Sequence, residues 1–331
     1  MEKKKKTFKI LSIDGGGIKG IYSAAVLAKF EEFSQKKIVD CFDLICGTST
    51  GGLIGLLLGA GYSAKQIVQF YIDNASYIFP PKNRCIALLK QIFGINKHDQ
   101  EGLYNVLKKF LENRTMEDSI VNLCIPSIDS ENEKPIVFKT GHSHKYVRDP
   151  KISMVDVALA TSAAPTFLPI HKIERITRDT IDGGLWANNP SLVGIIEAME
   201  IFMPQHNYDN FALLSIGNIE SNIGCFKNLS KIRKINIFFL KKLIEFFMHI
   251  QVESIKNMVN HLKNVTNSTY DRITASKFSP EQYKEIELDT SNKKVLDILI
   301  SKGYSDAEHH WANDNIRAYM TCKVELGVKN D

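Results

Sequence analysis

The sequence predicts an α/β fold, a largely parallel sheet flanked by helices. Three observations carry the prediction. Apolar runs of strand length recur along the chain, they alternate with segments of helical spacing, and the first two end in glycine-rich turns that open a helix. Phe8 to Ile13 is the first run and stops at three glycines, so it reads as a buried strand. Ile21 to Phe33 carries apolar residues at helical spacing, and Phe42 to Cys46 is a second buried strand. Leu53 to Leu58 is nearly all apolar, so its helix is expected to be buried on most sides. Ser63 is placed to cap a helix running to about Tyr77. Residues 80–118 read as mixed and helical, punctuated by Pro80-Pro81. Ile120 to Ile128 and Pro135 to Thr140 read as strands flanking the polar loop DSENEK. Ser153 with Asp156 three residues on resembles a capping box for a helix through Ala160. Asn210 to Ile216 is a further buried strand, Glu285 to Leu288 a short one, and a helix follows from Asn292 to Ser301.

No internal repeat or Pro/Gly/Ser linker divides the chain. The expectation is a basic tail over residues 1–7 and one domain over 8–331, with a helical flank at about 221–265 and residues 266–331 completing the domain. With 331 residues, 44% of them hydrophobic, a large core is available, which excludes low-complexity disorder, collagen and a small disulfide scaffold. A net charge of +5 is too small for a dedicated binder of nucleic acid polymers. The cysteines at 41, 46, 85, 124, 225 and 322 show no CxxC spacing, so buried free thiols in a reducing compartment are expected and a metal site is not. The apolar run after MEKKKK is too short for a signal peptide, and no window of ~20 apolar residues exists. These features read as cytoplasmic.

Three glycine-rich stretches carry the chemistry. The first, Asp14-Gly15-Gly16-Gly17-Ile18-Lys19-Gly20, follows the first strand and opens a helix. Gly15, Gly17 and Gly20 fit G-x-G-x-x-G, and Asp40 falls 20 residues beyond, so a dinucleotide-binding oxidoreductase is one reading. Asp40 sits oddly for it, because it leads into the second strand instead of ending it. The second stretch, Gly47-Thr48-Ser49-Thr50-Gly51-Gly52, is G-x-S-x-G on a strand-to-helix turn, the pattern of a nucleophile elbow. Glycines flank Ser49 because a sharp turn crowds the neighbouring chain, and the helix N-terminus favours developing negative charge there. A nucleophilic serine needs a base. None of the nine histidines lies in a distinctive motif, and His142 and His144 are expected in a solvated loop. The third stretch, Asp182-Gly183-Gly184, offers a carboxylate instead, although an isolated Asp-Gly also fits a plain turn. Amides of Gly15, Gly16 and Gly17 would suit an oxyanion or a pyrophosphate alike.

DGGGIKG at 14–20, GTSTGG at 47–52 and DGG at 182–184 together resemble the signature blocks of the patatin-like phospholipases. TSAAPTFLP at 161–169 and NNP at 188–190 extend the resemblance, which runs from about residue 8 to 220. It implies a three-layer fold and an acyl hydrolase of phospholipase A type, working on membrane phospholipids without metal or cofactor. Ser49 would be the nucleophile, Asp182 its base, and Gly15, Gly16 and Gly17 the oxyanion hole. Gly47, Gly51, Gly183 and Gly184 would support them, and Lys19 stands where the family takes Arg or Lys. One departure is Asn218-Ile219, where the family often continues Thr-Gly after the strand. Compact bacterial members of the family include antiphage effectors switched on by a cyclic nucleotide, so the resemblance also implies such an activator. A catalytically silent lipid-binding member is a further alternative, against which the intact Ser49 and Asp182 weigh.

Residues 232–250 form the remaining distinctive segment. On a helical wheel Lys234, Lys241, Lys242, Glu245 and His249 share one face, and Ile232, Ile235, Phe239, Leu243, Phe246, Phe247 and Ile250 the other, with Phe238 the misfit. Such a helix either lies in a lipid interface or packs on the domain's own core. The lysines at 3–6 would add membrane attraction or form a solvated tail.

Overall fold

A computed structural model of the chain describes residues 6–78, 99–165, 168–219, 237–279, 282, 286 and 292–321. The strands are β1 (Thr7–Ile13), β2 (Leu44–Gly47), β3 (Asn122–Asp129), β4 (Lys134–Lys139), β5 (His171–Ile173), β6 (Arg178–Asp182), β7 (Asn210–Ile216) and β8 (Thr269–Ile273). They form one sheet in the order β5-β6-β3-β2-β1-β7-β8, with β4 paired to β3. From β3 across to β8 the pairings are parallel, and β4, β5 and β6 add antiparallel ones.

The strand alternation builds three layers. Leu11 and Ile13 of β1 and Leu214 and Ile216 of β7 face one apolar cluster. Phe8 and Ile10, with Phe211 and Leu213, face the other. Neighbouring side chains thus leave opposite faces of the sheet, and both faces need cover. The first is covered by α1 (Gly20–Ser34), α2 (Thr50–Gly59), α3 (Ala64–Ile78), α4 (Asp99–Leu111) and α5 (Met154–Ser162). The second is covered by α6 (Ser191–Glu197) and α7 (Ile237–Val265). A last long helix, α8 (Lys293–Trp311), packs back on the first layer against α1.

Local chemistry explains most boundaries. Ser63 Oγ accepts from Gln66 N–H at 3.3 Å while Gln66 Oε1 accepts from Ser63 N–H at 2.9 Å, so α3 starts at a full capping box. At α5 only half of the expected box forms. Ser153 accepts from Val155 N–H, but Asp156 turns to His171 Nε2 at 3.1 Å. Helix α8 runs past the expected stop at Ser301, and Gly303 within it lets the helix approach α1 closely. A Cβ there would lie 2.7 Å from Ala25 Cβ and from Tyr22 O.

The expected strand at 285–288 lies outside the described residues apart from Ile286. So do Pro80-Pro81, Lys3 to Lys5, residues 232–236 of the amphipathic segment, and Cys85, Cys225 and Cys322. Cys41, Cys46 and Cys124 are buried thiols outside any disulfide. His142 corrects the expectation of a solvated loop, since its side chain is only 3% exposed. Its Nδ1 meets Thr140 Oγ1 at 2.7 Å and its Nε2 meets Glu197 at 2.8 Å. Among the described residues, no helix is long and apolar enough to cross a membrane.

Candidate active site

Ser49 and Asp182 meet because two strands share one edge of β3. On one side β4 follows β3 from Cys124 to Asp129. On the other, β2 pairs with Asn122 to Cys124 and ends, and β6 takes over from Ser127 to Asp129. The end of β6 therefore lies just beyond the end of β2, placing Asp182 beside the turn that follows Gly47.

That turn is sharp. Ser49 has φ 54° and ψ −122°, a left-handed conformation that costs a side-chain-bearing residue about 1–3 kcal/mol. Its surroundings impose it. A Cβ on Gly47 would lie 2.2 Å from Gly51 O, and one on Gly51 would lie 2.2 Å from Ile13 O. Gly51 N–H closes the turn onto Thr48 O at 2.8 Å. Ser49 N–H donates to Thr161 Oγ1 at 3.0 Å, and that hydroxyl donates to Pro126 O at 2.6 Å. Ser49 ends up at the N-terminus of α2, 8% exposed.

Asp182 is 5% exposed. Its carboxylate accepts from Gly184 N–H at 2.6 Å, and the Ser49 hydroxyl acts on it from the turn. Burial pushes the carboxyl up to about 6, and the hydrogen bonds from Ser49 and Gly184 hold back part of that rise. Gly183 is required beside it, as a Cβ would lie 2.4 Å from Pro126 O.

The glycine-rich loop lies against this pair. A Cβ on Gly15 would stand 3.3 Å from Ser49 Cβ and 2.6 Å from Asn188 Oδ1. One expectation is corrected here. Gly15 N–H already donates to Asn188 O at 2.9 Å, so it does not point into an oxyanion site. The N–H groups of Gly16 and Gly17 have no such partner among the described residues. Lys19 lines a cavity with Gly15, Gly16, Asn218, Glu245 and His249, between the loop and α7.

Asp40 does not serve a nucleotide. It is exposed on a helical turn at Ile38–Cys41, ahead of β2, at the opposite end of that strand from the glycine loop. A ribose-binding acid would stand at the carboxyl end.

Cys124, His142 and Glu197 bring three potential metal-ligand atoms within 4.8 Å of one another. They belong to a network whose cation is already present. Lys139 Nζ donates to Glu197 Oε2 at 2.5 Å, and Tyr146 OH donates to Oε1 at 2.5 Å. Burial alone would raise the Glu197 carboxyl, but the hydrogen bonds of His142, Lys139 and Tyr146 outweigh it and hold it at about 2.

Sequence reasoning missed Arg272 and the roles of Asn188 and Thr161. The last two lie in stretches that stood out, NNP and TSAAP. Arg272 carries no local signal.

A family model described as patatin-like phospholipase matches residues 11–194. A cGAMP-activated phospholipase of Escherichia coli (strain TW11681) is 33% identical over 229 residues, 65% of this chain and 63% of that protein. A protein of the same description from Vibrio cholerae is 32% identical over 231 residues, 65% of each. Patatin-like protein 2 of Arabidopsis thaliana is 35% identical over 242 residues, 63% of this chain and 59% of that one. The chain thus spans less than two thirds of the length of these relatives. Among solved structures, VipD from Legionella pneumophila superposes with a TM-score of 0.45 at 13% identity, over 92% of this chain and 66% of that one.

Proposed function

The chain belongs to the patatin-like phospholipase family, and from that premise we propose that it is a serine hydrolase of fatty acyl esters in membrane phospholipids. The observation that carries the reading is the Ser49 hydroxyl standing beside a buried Asp182 and lowering its otherwise raised pKa. In this reading Ser49 Oγ attacks the ester carbonyl carbon as Asp182 takes its proton. The tetrahedral oxyanion is held by the N–H groups of Gly16 and Gly17 and by the N-terminus of α2. The C–O bond then breaks, and Asp182 returns the proton to the leaving lysophospholipid alkoxide. Water attacks the acyl-Ser49 ester, Asp182 accepts its proton and passes it back to Ser49, and the fatty acid leaves. A carboxyl near 6 suits both steps, being ionised at neutral pH yet far more basic than an exposed aspartate.

The direction in which α7 faces supports action at a lipid surface. Glu245 and His249 line the cavity over the glycine loop, while Phe247 and Ile250 are 59% and 45% exposed. The polar side of this stretch thus turns inward and part of the apolar side outward, as a membrane-docking helix requires. Residues 8–331 would act as one domain, peripherally on the cytoplasmic side. The Escherichia coli and Vibrio cholerae relatives are cGAMP-activated phospholipases. For this chain we extend that to a cyclic nucleotide activator and a part in antiviral defence.

The test uses a fluorophosphonate probe and phosphatidylglycerol vesicles, with and without cGAMP. Ser49→Ala abolishes labelling, and both Ser49→Ala and Asp182→Ala lower hydrolysis by about 10³-fold or more. Labelling that survives Ser49→Ala overturns the nucleophile. Vesicle binding without hydrolysis under either condition points to the silent lipid-binding alternative.

A further inference from the structure

The geometry points to Asn218 and Arg272 as positioning residues that aim the oxyanion loop, an inference that rests on the hydrolase reading above. Neither residue lies within the stretch matched by the family model, which ends at 194. Asn218 follows β7, and Arg272 is on β8, directly opposite Ser215 in the register.

Asn218 Nδ2 donates to Gly15 O at 2.7 Å and to Asp14 O at 3.3 Å. Its own Oδ1 accepts from Ser23 Oγ at 3.2 Å, which fixes the amide's orientation. A trans peptide is planar, so its C=O and N–H point in opposite directions. Holding Asp14 O toward Asn218 sends the N–H of Gly15 the other way, and there it meets Asn188 O. Holding Gly15 O toward Asn218 likewise sends the N–H of Gly16 away from Asn218. The second of these amides is the one left open for an oxyanion. Asn218 can come this close because position 16 is glycine, where a Cβ would lie 2.3 Å from its Nδ2.

Arg272 holds the start of the same loop. Its Nη1 and Nη2 donate to Asp14 Oδ1 and Oδ2 at 3.2 and 2.5 Å, and Nη1 also reaches Ser215 Oγ at 2.6 Å. Both partners are buried, with side chains 10% and 3% exposed. A forked contact of this kind restrains rotation as well as distance. Asp14 N–H is held in turn by Ile216 O at 3.0 Å. The loop is thereby tied to β7 and β8 on the side away from Ser49. An amide that binds an oxyanion contributes only in the transition state, so a misaimed one lowers kcat and leaves KM alone.

Asn218→Asp tests this at constant size, replacing the donor facing two carbonyl oxygens with an acceptor. Hydrolysis of a soluble p-nitrophenyl ester and the rate of fluorophosphonate labelling fall about 10- to 100-fold at unchanged KM. Hydrogen exchange over residues 14–20 speeds up, and the acid limb of the pH profile stays in place because the surroundings of Asp182 are untouched. Arg272→Lys keeps part of the activity that Arg272→Met loses. Unchanged exchange in Asn218→Asp overturns the inference whatever the activity does. Faster exchange with wild-type kcat also overturns it, as does a kcat loss with a shifted acid limb, which means general damage. If Ser49→Ala is as active as the wild type, the hydrolase reading fails first and takes this inference with it.

Discussion

Asp182, the base of the proposed mechanism, shows most directly how burial raises a carboxyl. Its carboxyl ionises at about 6 in the folded protein against the usual 3.8. The folded state therefore holds a proton that the unfolded chain releases between those values. The resulting stability is fully present below pH 3.8 and is lost as pH rises through about 6. At pH 7 the ionised carboxylate costs the fold about 3 kcal/mol, at about 1.4 kcal/mol per pH unit. Two outcomes are expected. The acid limb of kcat/KM has its midpoint near pH 6, and Asp182→Asn is inactive yet unfolds at higher denaturant than the wild type at pH 7. The gap closes toward pH 4. Coincident denaturation curves at pH 7 would refute the penalty. The crowded turns that hold Ser49 and Asp182 were legible in the sequence because glycines betray a close backbone approach even without coordinates, and the roles proposed for the two came from the resemblance of the three glycine-rich blocks taken together. Which loop amide stays open was not legible. That depends on Asn188 O taking the Gly15 N–H, a contact between residues 173 positions apart.

At the scale of elements, apolar runs and helical spacing were readable wherever a segment's burial follows from its own residues. β1, β2, β7 and α2 fall where those patterns put them. Tertiary causes were not readable. The handover from β2 to β6 along β3 sets the Ser49 to Asp182 contact, and no single segment encodes it. β8 escaped notice because TYDRI is short and polar, and its partner β7 supplies the apolar half of the pairing. The glycines of the elbow make a testable contrast with their neighbour in the same helix. A Cβ on Gly47 or Gly51 meets backbone at 2.2 Å, which nothing can relieve, whereas one on Gly55 meets Ile45 Cγ2 at an ordinary 3.5 Å. Gly47→Ala and Gly51→Ala are each expected to destabilise by about 3 kcal/mol or more. Gly55→Ala is expected to be neutral or stabilising by up to about 1 kcal/mol, since alanine is the better helix former. Urea denaturation reads all three, and a Gly51→Ala as stable as Gly55→Ala would contradict the close-approach account.

On the scale of the whole molecule, the proposed function raises the question of how a chain with no spanning helix among its described residues would reach an acyl ester inside a bilayer. Composition gave no answer, and the wheel of residues 232–250 left two open. Contacts of α7 favour one of them. Met248 reaches to within 3.2 Å of where a Gly184 Cβ would be, so this stretch lies over the turn that carries Asp182. Phe247 and Ile250 on the same turns face outward, and Leu185, next to Gly184, is 38% exposed. Apolar side chains thus sit on the outer surface close to the turn that carries Asp182, where, in the proposed function, lipid contact would bring an ester to Ser49. Half-exposed side chains of this size gain about 1–2 kcal/mol each on entering lipid. Phe247→Ser combined with Ile250→Ser is therefore expected to weaken co-sedimentation with phosphatidylglycerol vesicles at least about tenfold. Labelling of Ser49 by a soluble fluorophosphonate should not change, because neither side chain is among the groups placed at the reacting atoms. Vesicle binding equal to that of the wild type would return α7 to the role of a packing helix. Loss of labelling together with binding would mean that the pair holds the dyad's cover in place.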